Sequence, residues 1–165
     1  MARLCPLFSG STGNSYYIGT RSAGLLLDAG RSARQLVGAL QRCGIDPLAV
    51  QGILITHEHS DHIAGVRVFA KKYGIPVFAS QGTLLAMDSS LEGVERWVLE
   101  EELQLAGMTV RPFSTPHDSA QSLGFRIRTE DGRQFALATD LGALTDCVRE
   151  HLLGAEFVVI ESNHD

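Results

Sequence analysis

The sequence predicts an α/β domain rich in strands, on three observations. The length of 165 residues falls in the ordinary single-domain range, with 44% hydrophobic and 20% charged residues. Short apolar segments of strand character alternate with segments of helical spacing. No internal repeat, low-complexity run or linker interrupts the chain, so residues 1–165 read as one domain.

The elements follow in order. Residues 2–8 and 15–19 read as strands joined by the turn-rich loop Ser9-Gly10-Ser11-Thr12-Gly13-Asn14. Leu25, Leu26 and Leu27 form a short buried strand that ends at Asp28-Ala29-Gly30. Ser32 is placed to cap a helix whose apolar residues Leu36, Val37 and Leu40 recur at helical spacing and which stops near Gly44. Residues 52–56 are a continuous apolar run, as expected of a strand covered on both faces. A helix is predicted over 63–73, with Lys71 and Lys72 in its last turn and Gly74 as its stop. A strand over 76–79 and a short helix over 81–87 come next. Residues 94–115 read as strands, and 123–128 alternate as a half-buried strand does. A strand over 134–139, a helix over 143–153 and a buried strand over 157–160 complete the prediction.

Composition narrows the functional classes. The net charge of −5 is not that of a strongly basic nucleic-acid binder. Two bound divalent cations would, however, add four positive charges where a phosphate would sit, so the acidic total does not exclude a phosphate substrate. The cysteines Cys5, Cys43 and Cys147 are odd in number and dispersed, which argues against a disulfide framework or a thiolate zinc site. They read as small apolar residues in a reducing compartment. No apolar leader follows Met1 and no run approaches a membrane span, so the expectation is a cytoplasmic protein without a membrane or an obligate protein partner.

The chemistry concentrates in Thr56-His57-Glu58-His59-Ser60-Asp61-His62, which holds three of the six histidines. In an extended segment His57 and His59 point the same way, Asp61 continues that parity, and His62 follows at a helix start. Ligand sites of α/β folds lie at such strand ends. Imidazole with carboxylate suits zinc, iron, nickel, cobalt or manganese. A catalytic metal needs donors from elsewhere too. His117, in Ser114-Thr115-Pro116-His117-Asp118, is the natural third ligand, against the reading of a lone loop histidine. Asp140, in Ala138-Thr139-Asp140-Leu141-Gly142, is placed to bridge two metals, against the reading of a helix N-cap.

These residues in this order resemble the metallo-β-lactamase superfamily. His57, His59, Asp61 and His62 look like its signature loop, His117 like its next histidine and Asp140 like its bridging aspartate. Asp28-Ala29-Gly30 looks like its first motif, in which the aspartate orients the metal loop without binding metal. The opening Gly10-Ser11-Thr12-Gly13-Asn14-Ser15 and the closing Glu161-Ser162-Asn163-His164-Asp165 resemble the WalJ (YycJ) branch of bacterial nuclease-like hydrolases.

The resemblance implies an αββα sandwich and two divalent ions, zinc first with manganese as the alternative. His57, His59 and His117 would hold one ion; Asp61, His62 and the shared Asp140 would hold the other. Water deprotonated between the ions would attack, with Asp61 orienting it or taking its proton. The superfamily has one further histidine near the end of its sandwich. The chain stops at Asp165, right after an apolar strand, so the expectation is that the C-terminal part carrying that ligand lies outside it. His164 is a candidate to approach the site; His151, within a helix, reads as a surface residue. The glycine-serine loop can cradle a phosphate through its N–H groups, with Asn14 and Ser11 as contact candidates, or serve as a plain hairpin turn. The implied function is a phosphodiesterase or exonuclease acting on nucleic acid, DNA ahead of RNA. Hydrolysis of a thioester, lactone or β-lactam, and an inactive truncated metal-binding domain, stand as alternatives.

Overall fold

Two sheets stack face to face because strand residues alternate between two apolar destinations. The computed structural model describes residues 1–10, 13–115, 121–138 and 146–160; at 147, 148, 151 and 160 it describes the backbone. In the first sheet the order is β1 (Arg3–Phe8), β2 (Ser15–Gly19), β3 (Gly24–Leu27), β4 (Val50–Leu54), β5 (Val77–Ala79) and β6 (Arg96–Val98). Strands β1 to β3 pair antiparallel, and β3 to β6 pair parallel. In the second the order is β11 (Phe157–Ile160), β10 (Gln134–Ala138), β9 (Leu123–Arg128), β8 (Met108–Ser114) and β7 (Leu103–Leu105). Its pairs are antiparallel except β10 with β11.

Tyr16, Ile18, Leu25, Leu27 and Leu54 point between the sheets, where they meet Val110, Phe125, Ile127, Phe135 and Leu137. Their neighbours Tyr17, Leu26, Ile53 and Ile55 point the other way, onto Leu36, Leu40 and Phe69. These last belong to α1 (Ala33–Arg42) and α3 (Val66–Tyr73). Helix α4 (Gln81–Ala86) adds Leu84 to the same layer. On the far side, Leu152 of α5 (Asp146–Leu152) packs on Phe113 and Ala138. The layers are thus helix, sheet, sheet, helix: the expected αββα sandwich.

Local signals explain most boundaries. Ser32 caps α1, its hydroxyl accepting from the Gln35 N–H at 3.2 Å while Gln35 reaches back to the Ser32 N–H. Gly74 ends α3 in the left-handed region, at φ 64°. The helix expected over 63–73 is instead two, α2 (Ser60–Ile63) and α3. The cause is tertiary. At the break, the Gly65 N–H donates to the Ala29 carbonyl at 2.8 Å, and a Cβ on Gly65 would lie 1.9 Å from the Arg31 carbonyl oxygen. The ladder of β4 also begins and ends two residues before the expected 52–56. Short 3-10 turns at Pro47–Ala49 and Asp88–Leu91 complete the connections. Cys5 is buried and Cys43 partly so, both as free thiols; the Cys147 side chain lies outside the description. Among the described residues no helix is long and apolar enough to cross a membrane.

Candidate metal centre

The centre is built on the carboxylate of Asp28, immediately beyond the end of β3. Its backbone takes the left-handed conformation, φ 62°, which residues other than glycine, asparagine and aspartate seldom adopt. Such a conformation costs on the order of 1–3 kcal/mol. Hydrogen bonding offsets it: the side chain is 2% exposed, and Oδ1 accepts the Thr56 N–H at 2.7 Å. Oδ2 accepts the Thr56 hydroxyl at 2.7 Å and faces Nδ1 of His62 at 2.6 Å. Asp28 and Thr56 leave adjacent parallel strands at the same end, which is why residues so far apart in sequence meet.

These bonds fix proton positions. A carboxylate only accepts, so Nδ1 of His62 donates to Asp28 and Nε2 is left as the basic nitrogen of the neutral ring. The single Thr56 hydroxyl hydrogen goes to Asp28, so Oγ1 accepts from Nδ1 of His57 at 2.8 Å. Nε2 of His57 is then also a basic nitrogen. One buried carboxylate thus sets the tautomers of two fully buried imidazoles whose ring centroids are 4.0 Å apart. Thr56 was given no role from the sequence. A hydroxyl residue directly ahead of the histidine run, at a buried strand end, was the available signal.

The Ala29-Gly30 pair seats the metal loop. The Ala29 N–H donates to the His62 carbonyl at 2.9 Å, and the Gly30 N–H to the Asn14 carbonyl at 2.9 Å. The Asn14 N–H closes the circuit on the Asp61 carbonyl at 2.7 Å. A Cβ on Gly30 would lie 1.9 Å from the Asp61 carbonyl oxygen and 2.4 Å from the Asn14 nitrogen, so the approach requires glycine.

Asp61 does not continue the extended parity of His57 and His59. His59 is the extended N-cap of α2, and Asp61 stands in the first turn of that helix. Its Oδ2 is nevertheless 3.5 Å from Nε2 of His62, and the Asn14 amide donates to that oxygen at 3.1 Å. Asn14 is 3% exposed, and its amide group also bonds the Gly10 backbone at 2.9 and 3.1 Å. Its side chain turns inward, onto its own loop and onto Asp61. The His57 and His59 rings meet edge to face at 4.8 Å between centroids.

Among the described residues no group of three or more His, Cys, Asp or Glu side chains is gathered closely enough to hold a cation. Ser11, His117, Asp140 and His164 lie outside the described residues. The described residues flanking them gather at the same rim. Thr115 and Ser122, which bracket 116–121, are clasped by a 2.8 Å hydroxyl bond, and the Leu123 N–H donates to the Thr56 carbonyl at 2.9 Å. Ala138, the last described residue before Asp140, pairs with Ile160. The donor chemistry fits a divalent cation: two imidazoles in the Nε2-basic tautomer, a third imidazole beside them and a carboxylate alongside.

The sequence matches the beta-lactamase superfamily domain over residues 24–164. The chain belongs to that superfamily. Metallo-β-lactamases are among its structural neighbours. Zinc-bound PqqB from Methylobacterium extorquens superposes with a TM-score of 0.76 at 18% identity, covering 91% of this chain and 60% of that one. Among curated superfamily relatives, exodeoxyribonuclease YycJ of Bacillus anthracis is 36% identical across 96% of this chain and 62% of its own length. Exodeoxyribonuclease WalJ of Streptococcus pneumoniae is 35% identical across 96% of this chain and 61% of its own length. The chain therefore spans about three fifths of the length of these relatives.

Proposed function

We propose that this chain is a metal-dependent phosphodiesterase that acts as an exonuclease on nucleic acid, DNA ahead of RNA, in the cytoplasm. One observation carries the chemistry: Asp28, directly and through Thr56, commits His62 and His57 to the tautomer that binds a cation. The likeness to two exodeoxyribonucleases supports the substrate class.

In this reading His57, His59 and His117 hold one divalent ion, and Asp61, His62 and Asp140 hold a second. Zinc is the first candidate and manganese the alternative. The ions would supply acidity to a water and neutralise charge on the phosphoryl group. The chain's own residues do the rest. Asp61 orients the attacking water and accepts its proton, and Asn14 fixes the rotamer of Asp61 through the 3.1 Å bond. The burial of Asn14 shifts its role from direct contact to ordering the Gly10–Asn14 loop, and Ser11 remains the proposed contact to the substrate phosphate. Asp28 positions and touches no substrate.

The test is cleavage of end-labelled single- and double-stranded DNA and RNA by the full-length protein, loaded with zinc or manganese. Progressive shortening of DNA from one end is expected. Absence of cleavage by protein with confirmed metal content would refute the proposal, and turnover of a thioester, lactone or β-lactam instead would reassign the substrate.

A further inference from the structure

Away from the metal rim, the outer face of the second sheet carries three arginines that the sequence scatters. Val110, Phe125, Ile127 and Phe135 point between the sheets, so Arg111, Arg126, Arg128 and Gln134 point outward. The register places Arg111 directly opposite Arg126, and Arg128 opposite both Thr109 and Gln134. Together with Glu102 these residues line a cavity of about 140 Å³.

Like charges directly opposite on a sheet destabilise it. Here they face each other in a protein whose net charge is −5, so a scarcity of acidic residues does not explain them. Each guanidinium is differently held. Arg111 donates to Glu102 at 2.9 Å in an exposed pair. Arg126 is braced by Gln134 Oε1 at 2.6 and 3.0 Å and by the Leu153 carbonyl at 2.5 Å, beside the end of α5. Arg128 is exposed, and its guanidinium makes no hydrogen bond or ion pair among the described residues. A braced guanidinium flanked by two exposed ones, with a hydroxyl and an amide, matches the oxygens of a phosphate group, which guanidinium binds in bidentate fashion.

The geometry points to a second phosphate-binding site here, which holds the backbone of a nucleic-acid strand remote from the scissile bond. Its choice of ligand rests on the nuclease reading above. Strand β9 runs from Leu123, at the metal rim, to Arg128. Five steps at about 3.4 Å make that about 17 Å, the rise of about five nucleotides stacked as in a duplex, and fewer nucleotides of an extended single strand cover it. A strand held at the metal rim therefore engages the site only where it extends past the rim along β9.

The test measures binding of fluorescent single-stranded DNA, about three and about twelve nucleotides long, to the full-length protein in EDTA, between about 50 and 200 mM salt. Wild type is compared with Arg128→Gln and with Arg111→Gln/Arg128→Gln. The double variant should bind the longer strand about tenfold more weakly, with a salt slope flatter by about 1.4 for two lost phosphate contacts. The shorter strand, with fewer phosphates to place, should lose less affinity and show a smaller change in slope than the longer one. Relief of the Arg111–Arg126 repulsion should leave the melting temperature at or above that of wild type, which excludes misfolding as the cause.

Equal affinity and equal slope for the longer strand would overturn the site, while cleavage of that strand on addition of metal would leave the nuclease reading standing. Failure of wild type either to bind or to cleave would overturn both. Displacement of the strand by an equimolar amount of inorganic phosphate would overturn the strand as ligand and assign the cavity to free phosphate.

Discussion

Asp28 Oδ2 and His62 Nδ1 lie 2.6 Å apart, both side chains almost wholly buried, across thirty-four residues of sequence. The contact gives Asp28→Asn a clear outcome. Asparagine tolerates the left-handed backbone, so the fold should survive. Its amide keeps one acceptor oxygen and turns an NH2 donor toward either the Thr56 N–H or the Thr56 hydroxyl and His62 Nδ1, so the three bonds cannot all survive and the imidazole tautomer is no longer fixed. Metal affinity should fall about 10- to 100-fold, read by competition with a chromophoric chelator.

The last two histidines of the run should separate in stability. His62→Ala leaves the buried Asp28 carboxylate short of a partner and should destabilise by about 2–4 kcal/mol in urea denaturation. His59, half-exposed at the N-cap of α2 and without a side-chain cap bond, should cost under about 1 kcal/mol as His59→Ala. Both variants should lose bound metal by elemental analysis. Stability losses of equal size would contradict the part given to the Asp28–His62 contact.

Gly30→Ala should push the metal loop away from Asp28 and Asn14. The added methyl meets backbone atoms on two sides, which cannot swing aside as a flexible side chain would. Destabilisation of about 1–3 kcal/mol and a drop in metal content are expected together. Gly10→Ala, in the neighbouring Gly10–Asn14 loop, whose Cβ would meet nothing within 4 Å, is the control, although its φ of 117° adds backbone strain of its own.

Burial pushes the Tyr17 phenol up to about 12, and its hydroxyl donates to the Thr20 carbonyl at 2.5 Å. An unfolded tyrosine titrates near 10. The folded state therefore holds the proton more tightly, and the associated stability is intact below about pH 10 and lost as pH rises towards 12. Tyr17→Phe should flatten the alkaline fall in denaturation midpoint across that window. Identical pH profiles for the two proteins would contradict the assignment.

Much of this architecture was legible in the chain. Ser32 with Gln35, Gly74, and the alternation through Leu25, Leu26 and Leu27 are local signals, and local signals act through the few residues around them. The run His57 to His62 was legible as ligand chemistry for the same reason. Asp28-Ala29-Gly30 was legible only as a resemblance, because its purpose is to meet Asp61 and His62.

What the sequence alone determined was the alternation of strands and helices, written in periodicity, and a run of ligand-type residues, His57 to His62, written in residue type; the αββα layering was an implication of the resemblance that this run carries. Tertiary structure decided which nitrogen of each imidazole is basic, where the helix after the metal loop breaks, and that Asn14 turns inward to hold Asp61. It also decided that Arg111, Arg126 and Arg128 share one cavity. Each of these depends on strand register and on backbone packed against backbone across long stretches of chain, and no window of neighbouring residues contains that information.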